Sequence, residues 1–193
     1  MTRKLIVFLA LAAAMPLLQG CFPLAVTGAG AAAVLMVDDR RTAGIYIEDE
    51  NIEWKALARV RELGTIAHVN ATSYNRKVLL TGEAPTEADR KKIEDAVAGV
   101  PSVREVTNEI QVAGASSLAA RGSDGLITSN VKARLVNNGK VSTNHVKVVT
   151  EAGVVYLMGL VTQSEGDAAA EIARTTSGVT RVVKVFEYIG TGK

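Results

Sequence analysis

Apolar residues first recur at helical spacing: Ile52, Ala56, Val60 and Leu63 fall on one face, as Ile127, Val131 and Leu135 do later. Each helical stretch gives way to a period of two. Val69, Ala71 and Ser73 alternate in the first case and Val146, Val148 and Thr150 in the second, which predicts half-buried strands. Tyr74-Asn75-Arg76 and Glu151-Ala152-Gly153 then turn the chain into a second strand, so each pair is expected to be a hairpin. Thr86 with Asp89, and Thr162 with Glu165, have the spacing of a capped helix start. Gly99 and Gly178 stand where a left-handed residue would close that helix. A last strand is expected over 103–112 and again over 182–189.

The same order therefore occurs twice, and the residues repeat with it. HVNATSYNRKVLLTG (68–82) lies over HVKVVTEAGVVYLMG (145–159), matching His68 to His145, Val78 to Val155, Leu80 to Leu157 and Gly82 to Gly159 at an offset of 77. Gly99-Val100 and Val103 lie over Gly178-Val179 and Val182 at an offset of 79. Duplication explains both offsets. The unit reads α-β-β-α-β, which places the chain in the α+β class. Each copy is expected to be a two-layer sandwich of two helices on a three-stranded mixed sheet. A unit this small has a thin core, so an apolar outer face on it calls for an explanation.

Such a face is predicted over residues 126–136, LITSNVKARLV. With Ile127, Val131 and Leu135 turned inward, Leu126, Ser129, Ala133 and Val136 gather on the opposite side, with Asn130 beside them and Lys132 and Arg134 flanking. Ile127 is expected to divide its area between this face and the core. Charge sharpens the picture: the whole chain carries +2, but residues 38–120 hold 11 Lys plus Arg against 14 Asp plus Glu, whereas 121–193 hold 9 against 6. Within 121–147, Arg121, Lys132, Arg134, Lys140 and Lys147 accompany one acid, Asp124. Cations beside an apolar helix face suit an anionic surface; they equally suit docking onto the acidic first half.

The first twenty residues have the layout of a secretory signal, with Arg3 and Lys4 ahead of an apolar run too short to span a bilayer. Leu18-Gln19-Gly20-Cys21 resembles a bacterial lipobox. Cys21 is the sole cysteine, so it has no internal disulfide partner. Lipidation at Cys21 explains the thiol, and an ordinary signal peptide with an incidental cysteine is the plainer alternative. Resemblance to bacterial lipoproteins implies cleavage before Cys21, acylation of the thiol and, since Phe22 rather than aspartate follows, outer-membrane placement. Residues 22–37, rich in Gly and Ala and free of charge, read as a membrane-hugging tether that ends at Asp38-Asp39-Arg40-Arg41-Thr42.

Catalytic chemistry is not expected. His68 and His145 are read as structural, since neither has a cysteine or a carboxylate set near it in sequence, and no catalytic or metal residue is assigned. Gly28-Ala-Gly30 lacks a preceding strand. Arg90-Lys91-Lys92 reads as a solvated helix face, and removal of residues 1–20, with Arg3 and Lys4 and no acids, leaves a neutral exported chain that is a poor candidate for nucleic acid. No cofactor is expected. Trp54, the single tryptophan, is expected to pack against the other copy or the tether, with membrane contact as the alternative.

The order of elements, the glycine ending the second strand and the Gly-Val-x-x-Val entry to the third resemble the BON domain. Two copies behind a lipobox, preceded by Asp39-Arg40-Arg41-Thr42-x-Gly44, closely resemble the dual-BON-domain outer-membrane lipoproteins. The resemblance implies a signal peptide over 1–20, a lipidated tether over 21–44, BON domains over 45–112 and 123–190, and a linker over 113–122. It further implies binding of anionic phospholipids of the membrane by the first helix of the second domain, through Leu126, Ile127, Ser129, Asn130, Lys132, Ala133, Arg134 and Val136. Support of envelope integrity and cell division, envelope or division-site protein partners, a monomeric state and a periplasm-facing position complete the expectation. The alternative is a structural adaptor that uses the same surface to bind a protein or the first BON domain. Leu126 occupies a position where the family pattern favours an aromatic residue, and leucine lacks the interfacial preference of tryptophan.

Overall fold

The structure is a computed structural model and describes residues 39–65 and 67–190. The expected signal peptide, Cys21 and the tether up to Asp38 lie outside the described residues. The first unit runs α1 (Ala43–Glu62), β1 (His68–Tyr74), β2 (Lys77–Ala84), α2 (Glu87–Ala98), β3 (Glu105–Asn108) and β4 (Gln111–Val112). The second runs α3 (Leu118–Asn138), β5 (Val146–Glu151), β6 (Val154–Val161), α4 (Gln163–Arg174) and β7 (Arg181–Tyr188). Each sheet is mixed: the hairpins β1/β2 and β5/β6 are antiparallel, and β3, β4 and β7 lie parallel to the second hairpin strand. This is the repeated α-β-β-α-β sandwich expected from the sequence.

Local signals account for the joints. Asn75 and Arg76, and likewise Ala152 and Gly153, have positive φ, the two-residue turn whose twist suits a hairpin. Thr86 Oγ1 accepts from the Asp89 amide, and Thr162 with Glu165 forms a full capping box. Gly82 and Gly159 do not end their strands but sit inside β2 and β6. A Cβ there would lie 2.0 Å from the His68 carbonyl oxygen and 2.1 Å from that of His145, so no side chain fits.

Four details differ from the sequence expectation. Gly178 is left-handed at φ 87°, but Gly99 closes α2 in a right-handed conformation at φ −79°. Leu63 caps α1 and is 37% exposed instead of joining the core face. The third strand of the first copy is broken between Asn108 and Gln111 because Ile110 swings into the core, where the Asn108 side chain receives its amide at 3.1 Å. Helix α3 begins at Leu118, capped by Ser117, within the stretch 113–122 expected as linker.

Three cores hold residues 39–190 together. Ile52, Ala56, Val78, Leu80, Ile93 and Val97 form the first between helices and sheet, and Ile127, Val131, Leu135, Val155, Leu157 and Ala169 form its counterpart. The third lies between the sheets, where Tyr74 and Leu79 meet Tyr156, Met158 and Leu160. Alternate residues of β6 thus face opposite cores, which explains why VVYLMGLV is apolar without a break. The layers run helices, sheet, sheet, helices, so both copies turn their helices outward.

Candidate functional site

Helix α3 presents a stripe directly opposite its buried residues. Leu118, Gly122, Gly125, Leu126, Ser129, Ala133 and Val136 lie within about 100° of helical arc, every one is exposed, and none carries charge. Leu126 is 69% exposed and Val136 61% exposed. From Leu118 to Val136 the stripe runs about 27 Å along the helix. Arg121 and Lys132 share one flank; Asn130 and Arg134, also exposed, take the other.

Two of the residues expected on this face also serve the fold. Ile127 is 6% exposed and belongs wholly to the core, because its position faces β5 to β7. Arg134 is tied to the end of α4: its guanidinium donates to the Ile172 carbonyl at 3.0 Å, Thr176 Oγ1 at 2.7 Å and Thr175 Oγ1 at 2.9 Å. It holds the helix pair together while its charge stays at the rim. Lys132 is exposed and makes no ion pair among the described residues. Trp54 does not pack as expected: it is 70% exposed on the outward face of α1, next to Ile47 in the helical wheel.

A buried aspartate orients each outward helix, and the sequence reading missed both. Asp124 Oδ2 and Oδ1 accept from the Ala152 and Gly153 amides at 2.9 and 2.8 Å. Asp49 Oδ2 and Oδ1 accept from the Asn75 and Arg76 amides at 2.8 and 2.7 Å and from Ser73 Oγ at 2.7 Å. The donors are the left-handed turn residues, whose N–H groups no ladder partner satisfies. The signal was present: Asp49 and Asp124 each stand three residues before the first core isoleucine, Ile52 and Ile127.

The Asp39-Arg40-Arg41 segment is part of the folded unit rather than of a tether. Arg41 pairs with Asp39 and with Asp49 at 2.7 and 2.9 Å, and its guanidinium lies 3.9 Å from the Tyr74 ring centroid. Arg40 reaches the other copy, with a two-pronged pair to Glu165 at 2.7 and 2.8 Å and a bond to the Leu160 carbonyl. This arginine, ahead of Thr162 bonds and outweighing burial, lowers the Glu165 pKa to about 2. The first described residues thus staple the chain's entry to both copies.

The fold also gives His68 what the sequence did not show. Its Nδ1 lies 3.2 Å from Glu83 Oε2 across the hairpin, and Glu151 of the second copy approaches from β5, held by Asn70 Nδ2 at 3.1 Å. His145 instead sits 3.8 Å from Glu165, beside the Arg40 staple. No helix among the described residues is long and apolar enough to cross a membrane.

Comparison with known proteins agrees with this geometry. The chain is 43% identical over 176 residues to the outer membrane lipoprotein DolP of Haemophilus influenzae, covering 89% of this chain and 90% of that protein. It is 37% identical over 154 residues to the 21 kDa hemolysin of Actinobacillus pleuropneumoniae, covering 78% and 79%. It is 30% identical over 144 residues to the osmotically-inducible protein Y of Escherichia coli, covering 72% of each. The BON domain profile matches twice, at residues 49–114 and 123–190, the two sandwiches described above, and the chain belongs to the BON domain family.

Proposed function

We propose that this protein is a lipid-anchored outer-membrane lipoprotein, facing the periplasm, that lays the outward stripe of α3 on anionic phospholipid and thereby supports envelope integrity and division. The observation that carries the reading is the exposed, charge-free stripe from Leu118 to Val136 with Lys132 at its edge. Such a surface suits a headgroup boundary, where apolar side chains enter the acyl region and each cation adds about 1 kcal/mol near an anionic leaflet. The likeness to an outer membrane lipoprotein supports the address, and acylation of Cys21 would hold the stripe close to the bilayer. The first BON domain leaves Leu126 and Val136 uncovered.

The test uses residues 22–193, without the anchor, and vesicles of anionic or zwitterionic lipid. Leu126→Asp removes about 2 kcal/mol of apolar contact and adds about 1 kcal/mol of repulsion. Partitioning onto anionic vesicles is therefore expected to fall about 100-fold, with the melting temperature nearly unchanged. Equal binding by variant and wild type, or loss of folding in the variant, would sink the proposal. Binding of an envelope protein lost with the same substitution, in the absence of any lipid binding, would favour the adaptor instead.

A further inference from the structure

Glu83 and Glu151 are 6% and 7% exposed and come from different BON domains, yet they converge on a single imidazole. The His68 nitrogen and one oxygen of each carboxylate all lie within 4.8 Å of one another. Burying two carboxylates is costly without matching positive charge. Among the described residues, Glu83 has one ion-pair partner, His68, and Glu151 has none. The neutral amide of Asn70 takes one Glu151 oxygen at 3.1 Å and contributes no charge.

Other charged groups nearby are already committed. Arg121 lines the same cleft, but its guanidinium bonds the Ser116 hydroxyl and carbonyl at 3.2 and 3.0 Å. Asp124, also on the cleft, is spent on the β5/β6 turn. The cleft has a volume of about 420 Å³ and is open to solvent along His68, Asn70, Thr128 and Glu151, which gives a small ion a path to the triad.

We propose that His68, Glu83 and Glu151 form a divalent transition-metal site, best matched to Zn²⁺, that fastens the two BON domains to each other. One imidazole nitrogen with two carboxylate oxygens is a donor set for zinc, whereas magnesium and calcium prefer oxygen throughout. Ligand bonds of about 2.0–2.2 Å place tetrahedral donors about 3.3 Å apart, and the His68–Glu83 separation is already 3.2 Å. Glu151 needs only a small side-chain movement to complete the set, and water fills the fourth position. The ion is held by the lone pair of His68 Nδ1, with the imidazole's single proton on Nε2. Because Glu151 comes from β5 and the other two ligands from β1 and β2, occupancy couples the domains on the side of the sheet interface that Arg40 does not reach.

The experiment takes the full chain in detergent, stripped with chelator, and titrates it with ZnCl₂ by calorimetry. One ion per chain is expected, with micromolar or tighter affinity and a higher melting temperature for the loaded protein. Glu151→Gln and His68→Asn are each expected to weaken binding more than about tenfold, since loss of even an outer partner costs that much. His145→Asn, at the matching histidine, is expected to bind zinc like the wild type. Zinc-edge absorption of the wild type needs no variant to fold and is expected to show one imidazole among oxygen ligands. Absence of binding, a spectrum without imidazole, or undiminished affinity in Glu151→Gln overturns the proposal.

Discussion

Arg40→Ala tests whether the entry segment staples the second domain. The substitution removes two charge-assisted bonds to Glu165 and one to the Leu160 carbonyl, between side chains that are 26% and 18% exposed. Glu165 keeps its capping bonds to Thr162, so α4 retains its start. The drop in the Glu165 pKa from 4.5 to about 2 corresponds to about 3 kcal/mol by linkage. Solvent at the pair, and the share owed to Thr162, reduce the part lost with Arg40 to about 1–2 kcal/mol.

The sign of the pH dependence follows from the folded value lying below the unfolded one. The stabilisation is complete above pH 4.5 and disappears as pH falls from 4.5 towards 2. Arg40→Ala should therefore lower the melting temperature by about 5 °C at pH 7, and the difference should shrink towards pH 2 to the part owed to the Leu160 carbonyl. In the same variant, carboxyl carbon NMR should show Glu165 titrating closer to 4.5. A Glu165 that still titrates near 2 without Arg40, or a difference in melting temperature that is the same at pH 7 and pH 2, refutes the argument.

Asp124→Asn should cost about 2 kcal/mol in chemical denaturation, because the amide can accept from only one of the two turn N–H groups and confronts the other with a donor. Asp49→Asn should cost more, since Asp49 also serves Ser73 and Arg41; equal losses would contradict the hydrogen-bond account. Tyr156→Ala should remove about 3 kcal/mol from the core between the sheets while leaving both helix-facing cores intact. Calorimetry should then resolve two unfolding transitions in place of one, and a single undiminished transition would show that the sheets are not coupled through Tyr156.

The elements were legible because the chain states its periods twice, once in each copy, and its caps are local. The helix face of Ile127, Val131 and Leu135 and the threonine caps depend on neighbours within one turn. What the sequence did not reveal depends on distant partners. Asp124 looked like a lone acid in a basic stretch because its donors are backbone amides 28 and 29 residues away. Glu83 and Glu151 looked unrelated to His68 because only hairpin pairing and the packing of the two sheets bring them together. The unbroken apolar run in β6 is a sequence sign that both faces of that strand are buried, one that the reading by period passed over. On α3, the outward stripe could be read in advance, but the binding of Arg134 to α4 could not.

The duplicated unit has diverged where the two copies must differ. Aligning Asp49 with Asp124 sets Glu50 over Gly125 and Arg61 over Val136. Glu50 and Arg61 are exposed charges within the outward arc of α1, beside Ile47 and Trp54, whereas their counterparts leave the outward stripe of α3 without charge. Aligning the hairpins sets Tyr74 over Glu151 and Glu83 over Leu160. Each of those four residues faces the contact between the copies, so the divergence there builds one interface out of two unlike halves. An isolated second domain would consequently expose Tyr156, Met158 and Leu160, a sheet face that the whole chain buries, and would offer lipid two apolar surfaces in place of one. Vesicle binding measured on that fragment should be stronger than on residues 22–193 and less sensitive to Leu126→Asp. Identical sensitivity in fragment and pair would mean that the sheet face does not compete, and that α3 alone determines what the second domain binds.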